Sequence, residues 1–202
     1  MVATEGGDVF AAFFEGVGAH MMKGGSLPEY EKAYLDGLSG GALREAWASL
    51  VDETADAYAA LDPSSRVPWA GPSMSARSAI SARQMETWAH GQEVFDVLGA
   101  DREEHDRIRN IVVLGINTFG WTFKVRGETP PEPMPFVSLV SPSGEVWTYG
   151  ESQQSNFIQG DAVEFAQVVT QTRNIGDTSL TVVGDPASDW MSKAQCFAGG
   201  AN

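Results

Sequence analysis

The hydrophobic rhythm of this chain changes once, and that change decides what the chain can fold into. Up to about residue 125, apolar residues return every three or four positions, the period of a helix with a buried face. Beyond the proline-rich stretch "GETPPEPMP" they alternate, the period of a half-buried strand. A helical half followed by a mixed half places the chain in the α+β class. The expected division is a helical bundle over 1–128 and a small α+β domain over 129–202.

Five helices are read from the first half. "DVFAAFFEGVGAHMMK" is capped by Asp8 and stopped by Gly24 and Gly25. Apolar residues almost encircle it, so something outside this segment has to cover Phe10, Phe13 and Phe14. "LPEYEKAYLDGL" follows with Pro28 in its first turn. "GALREAWASLVDETADAYAAL" carries a stripe of Leu43, Trp47, Leu50, Thr54 and Tyr58. After the linker "DPSSRVPWAGPSM" a long helix runs from a Ser75 cap to Gly99. A fifth spans roughly Glu103 to Val125, with Ile108, Ile111, Val112, Gly115 and Phe119 on its stripe. The second half reads as a hairpin in "FVSLVSPSGEVWTYG", a strand in "SNFIQG", a helix capped by Asp161, a strand in "TSLTVVG", and a closing helix with Pro186 at its start. No internal repeat is present.

Charge and cysteine usage narrow the function classes. A net charge of −14 repels phosphate backbones and anionic lipid surfaces, so neither nucleic acid nor a membrane surface is an expected partner. The single cysteine, Cys196, excludes an internal disulfide and a cysteine-based zinc site. Nothing resembles a signal peptide or a membrane span, and a cytoplasmic location is expected.

The chemistry-bearing stretch is "RQMETWAHGQ". Glu86 precedes His90 by four residues, so on a helix a carboxylate and an imidazole share one face and converge. Two readings fit that spacing: an exposed pair, or two metal ligands. Arg83 lies one turn before Glu86, and Glu93 or Val94 one turn after His90. Trp88 and Met85 point elsewhere and read as core. His20, near the end of the first helix, reads either as a third ligand or as a histidine favoured by the helix dipole. His105, in "DREEHDR", is ringed by charge and reads as solvated.

"VPWAGPSMSARSAISARQMETWAHGQEVFDVLG" resembles the central segment of an actinobacterial family in the DinB-like superfamily, related to the mycothiol-dependent maleylpyruvate isomerases. The likeness continues through "VRGETPPEP", "GDAVEFAQVVTQTRNIGDTSL" and "WMSKAQCFAG". It implies a DinB-like helical bundle holding a divalent metal, zinc or nickel, followed by a domain similar to sterol carrier proteins. The family's E-x-x-x-H ligand pair falls on Glu86 and His90. Members normally begin with two helices, the second bearing an "H-x-x-H-L"-like stretch that supplies another histidine. This chain starts just after that place, so the resemblance implies an incomplete bundle. An incomplete bundle leaves an apolar groove, and a homodimer is the expected way to fill it.

Three functions are open at this stage. The first is a metal-dependent isomerase or thiol transferase, with Glu86, His90 and a third ligand such as His20, and with mycothiol as a possible thiol. The second is a metal-free cyclase or isomerase of a natural-product intermediate. There Glu86, His90 and Arg83 are the polar groups of an aromatic pocket drawing on Phe13, Phe14, Trp69, Trp88 and Trp121. The third is a non-catalytic carrier of a hydrophobic ligand, using Phe136, Trp147 and Tyr149. Arg173 and Asp177 are expected to form an ion pair that closes a loop.

Overall fold

The computed structural model describes residues 6–69 and 73–197. The described residues form an α+β fold with a helical N-terminal part, in two compact units, 1–80 and 81–202.

In the first unit, α1 (Gly7–Met22), α2 (Leu27–Tyr34) and α3 (Gly40–Ala59) precede a two-stranded ribbon, β1 (Arg66–Val67) and β2 (Met74–Ser75). The expected Asp8 cap is displaced: Gly6 holds that position at φ 92°, and Asp8 lies in the first turn, where its charge favours the helix dipole. The second helix stops at Tyr34, earlier than expected, because Asp36 and Gly37 turn the backbone into the left-handed region. Its start is a reciprocal cap, in which Ser26 N–H and Oγ both bond to Glu29 Oε2, at 2.8 and 2.9 Å. Phe13 meets Tyr30 and Tyr34 edge-on, which pins α1 to α2.

The boundary between units falls inside α4 (Ala76–Leu98), whose first turn is held by Ser75 Oγ accepting from Ser78 N–H at 3.1 Å. The helix ends at Gly99, φ 60°. The single helix expected over 103–125 is instead broken. A short 3-10 turn (Asp106–Ile108) leads into α5 (Arg109–Asn117), and α6 (Phe119–Lys124) follows after Thr118. Thr118 Oγ1 donates back to the carbonyls of Leu114 and Gly115, a local bond that competes with the helix ladder and bends it.

The rest follows the expected order: β3 (Phe136–Val140), β4 (Val146–Tyr149), β5 (Phe157–Asp161), α7 (Ala162–Val169), β6 (Thr181–Val183) and α8 (Asp185–Lys193). The sheet runs β4-β3-β5-β6, with β3 parallel to β5 and the outer pairs antiparallel. Asp161 caps α7 through the N–H groups of Val163 and Glu164. Period-two alternation sends Val137, Leu139, Trp147 and Ile158 inward, while the registered row Ser138, Thr148, Gln159 and Thr181 lies on the other face. One core gathers those inward residues with Met85 and Trp88 of α4, Ile111 and Val112 of α5, Phe123 of α6, Phe165 and Val169 of α7, and Trp190 of α8. Residues from both sides of position 128 therefore share it. Among the described residues no helix is long and apolar enough to cross a membrane.

Candidate functional site

The second half of α4 presents two faces. Met85, Trp88, Ala89 and Gln92 are buried, whereas Arg83, Thr87, His90 and Glu93 are exposed, with Glu86 at the margin. His90 Nε2 lies 3.5 Å from Glu86 Oε2, and His90 Nδ1 lies 3.6 Å from Glu93 Oε2. Each ring nitrogen thus faces a different carboxylate. The imidazole is 68% exposed and Glu86 35%, so the pair sits at the solvent edge. Arg83 has no polar partner for its guanidinium among the described residues; its carbonyl accepts from Thr87 Oγ1 at 3.0 Å.

Several bonds hold this helix still beneath the pair. Trp88 Nε1–H donates to Glu104 Oε2 at 3.1 Å, and Arg102 donates to the Trp88 carbonyl at 2.7 Å while its guanidinium lies over the Trp88 ring. Gln84 donates to the Arg107 carbonyl and accepts from Asn110. Nearly two turns past His90, Asp96 receives both outer nitrogens of Arg173, at 2.6 and 2.7 Å. Arg173 therefore pairs directly with Asp96 on α4, correcting the expected pairing with Asp177, which acts on it only through charge. The bidentate Arg173 bond, with Gln92 assisting, holds the Asp96 carboxyl at about 2.

The segment after α8 returns to the same place. Cys196 N–H donates to the Val169 carbonyl at 3.0 Å, and the Phe197 ring centre lies 6.4 Å from that of His90. The Cys196 thiol is pushed up to about 12, chiefly by burial and further by the negative charge of Glu86. In the sequence Cys196 served to exclude an internal disulfide and a cysteine-based zinc site, and its position beside Glu86 was missed. The signal available was its apolar neighbourhood at the chain's far end, which spacing arguments along one helix do not reach.

His20 belongs to the first unit. Its Nε2 is buried 3.8 Å from Glu29 Oε2 without a hydrogen-bond partner among the described residues, and its ring packs on Tyr30. It lies so close over Gly25 that a Cβ there would sit 2.1 Å from Nε2. His105 is half exposed with Nε2 3.6 Å from Glu103, in keeping with its solvated reading.

Taken as a metal site, the α4 cluster supplies two donors that face each other. Glu93 lies on the other side of the ring, so the two carboxylates and the imidazole share no common point. Among the described residues no group of three or more His, Cys, Asp or Glu is arranged to hold a metal ion. The donors fit part of a coordination sphere and not the whole of one.

Residues 12–95 match the family described as mycothiol maleylpyruvate isomerase N-terminal domain. That segment is DinB-like and maleylpyruvate isomerase-related, as the residues around Glu86 and His90 suggested, and it contains both. Two uncharacterized proteins of Mycobacterium tuberculosis, from strains CDC 1551 / Oshkosh and ATCC 25618 / H37Rv, are each 42% identical over 134 residues. The alignments cover 66% of this chain and 52% of each relative, so the chain spans about half the length of the curated relatives it matches. No solved structure matches.

The aromatic residues expected around a pocket do not share one environment. Phe13 and Phe14 pack on each other and on their neighbours in the first unit, Trp88 is core, and Trp121 is exposed. In the second unit an open groove of about 670 Å³ is lined by Phe119, Pro130, Pro131, Glu132, Pro133 and Met134. None of the candidate site residues lines it. Trp147, expected with Phe136 to face a hydrophobic ligand, is a buried core residue on the opposite face of the sheet from Phe136.

Proposed function

We propose that this protein acts on a small organic molecule in the manner of the DinB-like isomerases and thiol transferases, with Glu86 and His90 as its reactive pair. The observation that carries this reading is the 3.5 Å approach of Glu86 Oε2 to His90 Nε2, inside the segment that matches the maleylpyruvate isomerase family. Both groups are reachable from solvent and both ride on a helix fixed from beneath. A divalent ion at such a pair would polarise a carbonyl or favour the thiolate of a thiol such as mycothiol. Its remaining donors would come from beyond the described set, from the substrate or a second copy.

The chain's own groups divide the work. Glu86 is the half-buried acceptor, and His90 presents Nε2 toward it. Glu93 lies 3.6 Å from Nδ1, a charge beside one ring nitrogen while the other is free to exchange a proton or a ligand. Arg83, one turn away, offers a charge to an anionic substrate. The Glu93 contact also supports a metal-free reading, in which imidazole and carboxylate work as base and acid.

Zinc or nickel titration of the full chain by calorimetry, beside a Glu86→Gln/His90→Ala double variant, separates the two. Stoichiometric binding that the variant loses supports the metal reading. No binding by the native chain overturns it and leaves the acid–base pair.

A further inference from the structure

We infer that the substrate of this site is an amphipathic carboxylic acid, held with its acid group toward Arg83 and an aryl or branched apolar group against Phe197 and Val94. The inference rests on the reading of Glu86 and His90 as the reactive pair, and every residue it uses lies in the second unit.

What a bound molecule can touch beside that pair is set by α4 and by the segment after α8. At 100° per residue, Arg83, Glu86, His90, Val94 and Val97 fall within an arc of about 80°, one row along the helix. The row changes character along its length. Before the pair it is cationic, at Arg83; beyond it come Val94 and Val97, 58% and 87% exposed. Apolar side chains left in water next to reactive groups are what the apolar part of a substrate can cover.

Residues 195–197 run alongside the pair and wall it on one side. Cys196 lies close enough to Glu86 to feel its charge, and the Phe197 ring centre lies 6.4 Å from that of His90, tilted by 51°. The wall is anchored. Gln195 N–H donates to Thr122 Oγ1 at 3.2 Å, Cys196 N–H to the Val169 carbonyl at 3.0 Å, and Gln195 Nε2 to the Phe197 carbonyl at 3.4 Å. Phe197 packs against the core without being fully buried, so some of its surface stays open. An aromatic side chain held beside an imidazole favours an aryl or branched group over a polar chain.

Charge sets the direction in which the molecule lies. Glu86 and Glu93 flank His90 and repel a carboxylate there, while Arg102 and Arg173 are engaged with Glu104 and Asp96. That leaves Arg83, whose guanidinium has no polar partner among the described residues, to receive an acid group.

The test is a titration of the full chain with phenylpropionate, phenylpropanol and succinate, followed through the His90 imidazole signals in proton NMR with a chelator present. Their loss in His90→Ala assigns them. Phenylpropionate is expected to move these signals and to bind roughly fivefold tighter than phenylpropanol, which lacks the charge, or succinate, which lacks the ring. Phe197→Ala and Val94→Asn are each expected to weaken it by a similar factor, and Arg83→Gln to erase the preference for the acid over the alcohol. Val94 is exposed, so its variant reports even where circular dichroism shows Phe197→Ala to be unfolded. Unmoved His90 signals, equal affinity for the three probes, or affinity unchanged by Val94→Asn overturns the proposal. Zinc titration of the chelator-free chain reads the reactive pair separately. Zinc bound without a preference for the aromatic acid overturns the substrate class alone, and that preference without zinc supports the class while overturning the metal reading.

Discussion

Gly115→Ala tests how closely α5 and α7 approach. A Cβ at position 115 would lie 2.8 Å from Cγ2 of Val169 and 3.0 Å from its Cβ and Cγ1. Ordinary carbon contacts start about 0.5 Å or more beyond that. Val169 cannot turn aside: it is 1% exposed, and a β-branched side chain in a helix has essentially one rotamer. Overpacking of this kind costs about 1–3 kcal/mol, and the locked neighbour argues for the upper half of that range. Alanine returns roughly 1 kcal/mol through its helix propensity. The expected net loss is about 1–2 kcal/mol, read as a fall of roughly 0.5–1 M in the urea midpoint. Val169→Ala removes two of the three close atoms and by itself costs about 2 kcal/mol in lost burial and cavity. In that background Gly115→Ala is close to neutral, a coupling of about 1 kcal/mol or more in the double-mutant cycle. Additive losses, or a stabilising Gly115→Ala in the native background, would show that the helices are not in contact there.

Two further outcomes rest on the ionisable groups beside α4. Asp96 has its carboxyl lowered from 3.8 to about 2, so its pairing with Arg173 contributes stability above pH 3.8 and loses that contribution as the pH falls toward 2. Asp96→Asn should unfold at lower temperature than the native chain at pH 5, with the gap closing by pH 2, and a gap that persists unchanged at pH 2 would refute the pairing. Cys196 has its thiol raised from 9.0 to about 12, so its neutral form favours the folded state below pH 9 and that preference fades as the pH climbs toward 12. At pH 8 a thiol reagent should leave the native chain unmodified and label it stoichiometrically in urea, and rapid labelling without urea would contradict its burial.

Much of this architecture was readable from local chemistry. Asp161 announces α7, Gly99 ends α4, and alternation in "FVSLV" and "VWTY" gives both strand period and inward face, because each depends on neighbours within one turn or one hairpin. Thr118 escaped notice because its break rests on a side-chain bond to the preceding turn, within a stripe that continues smoothly across it. On the site, i,i+4 spacing brought Glu86 to His90, while Glu93 was noted without its role at Nδ1. Arg173 found Asp96 instead of Asp177 because an arginine reaches the nearest fork-shaped acceptor in space, and that acceptor lies 77 residues away in sequence. Cys196 escaped for the same reason.

The path of α4 has a practical consequence for anyone building chimaeras from this chain. The family signature ends at residue 95, and the change of rhythm at 127–135 invites a cut there. Yet the helix that bears Glu86 and His90 shares one core with Ile111, Phe165 and Trp190, and is tied at Asp96 to an arginine beyond α7. A graft that keeps the helices and replaces the strands and helices beyond the prolines would carry the reactive pair across on a helix stripped of its foundation. The seam that leaves this foundation whole is upstream, near Ser81.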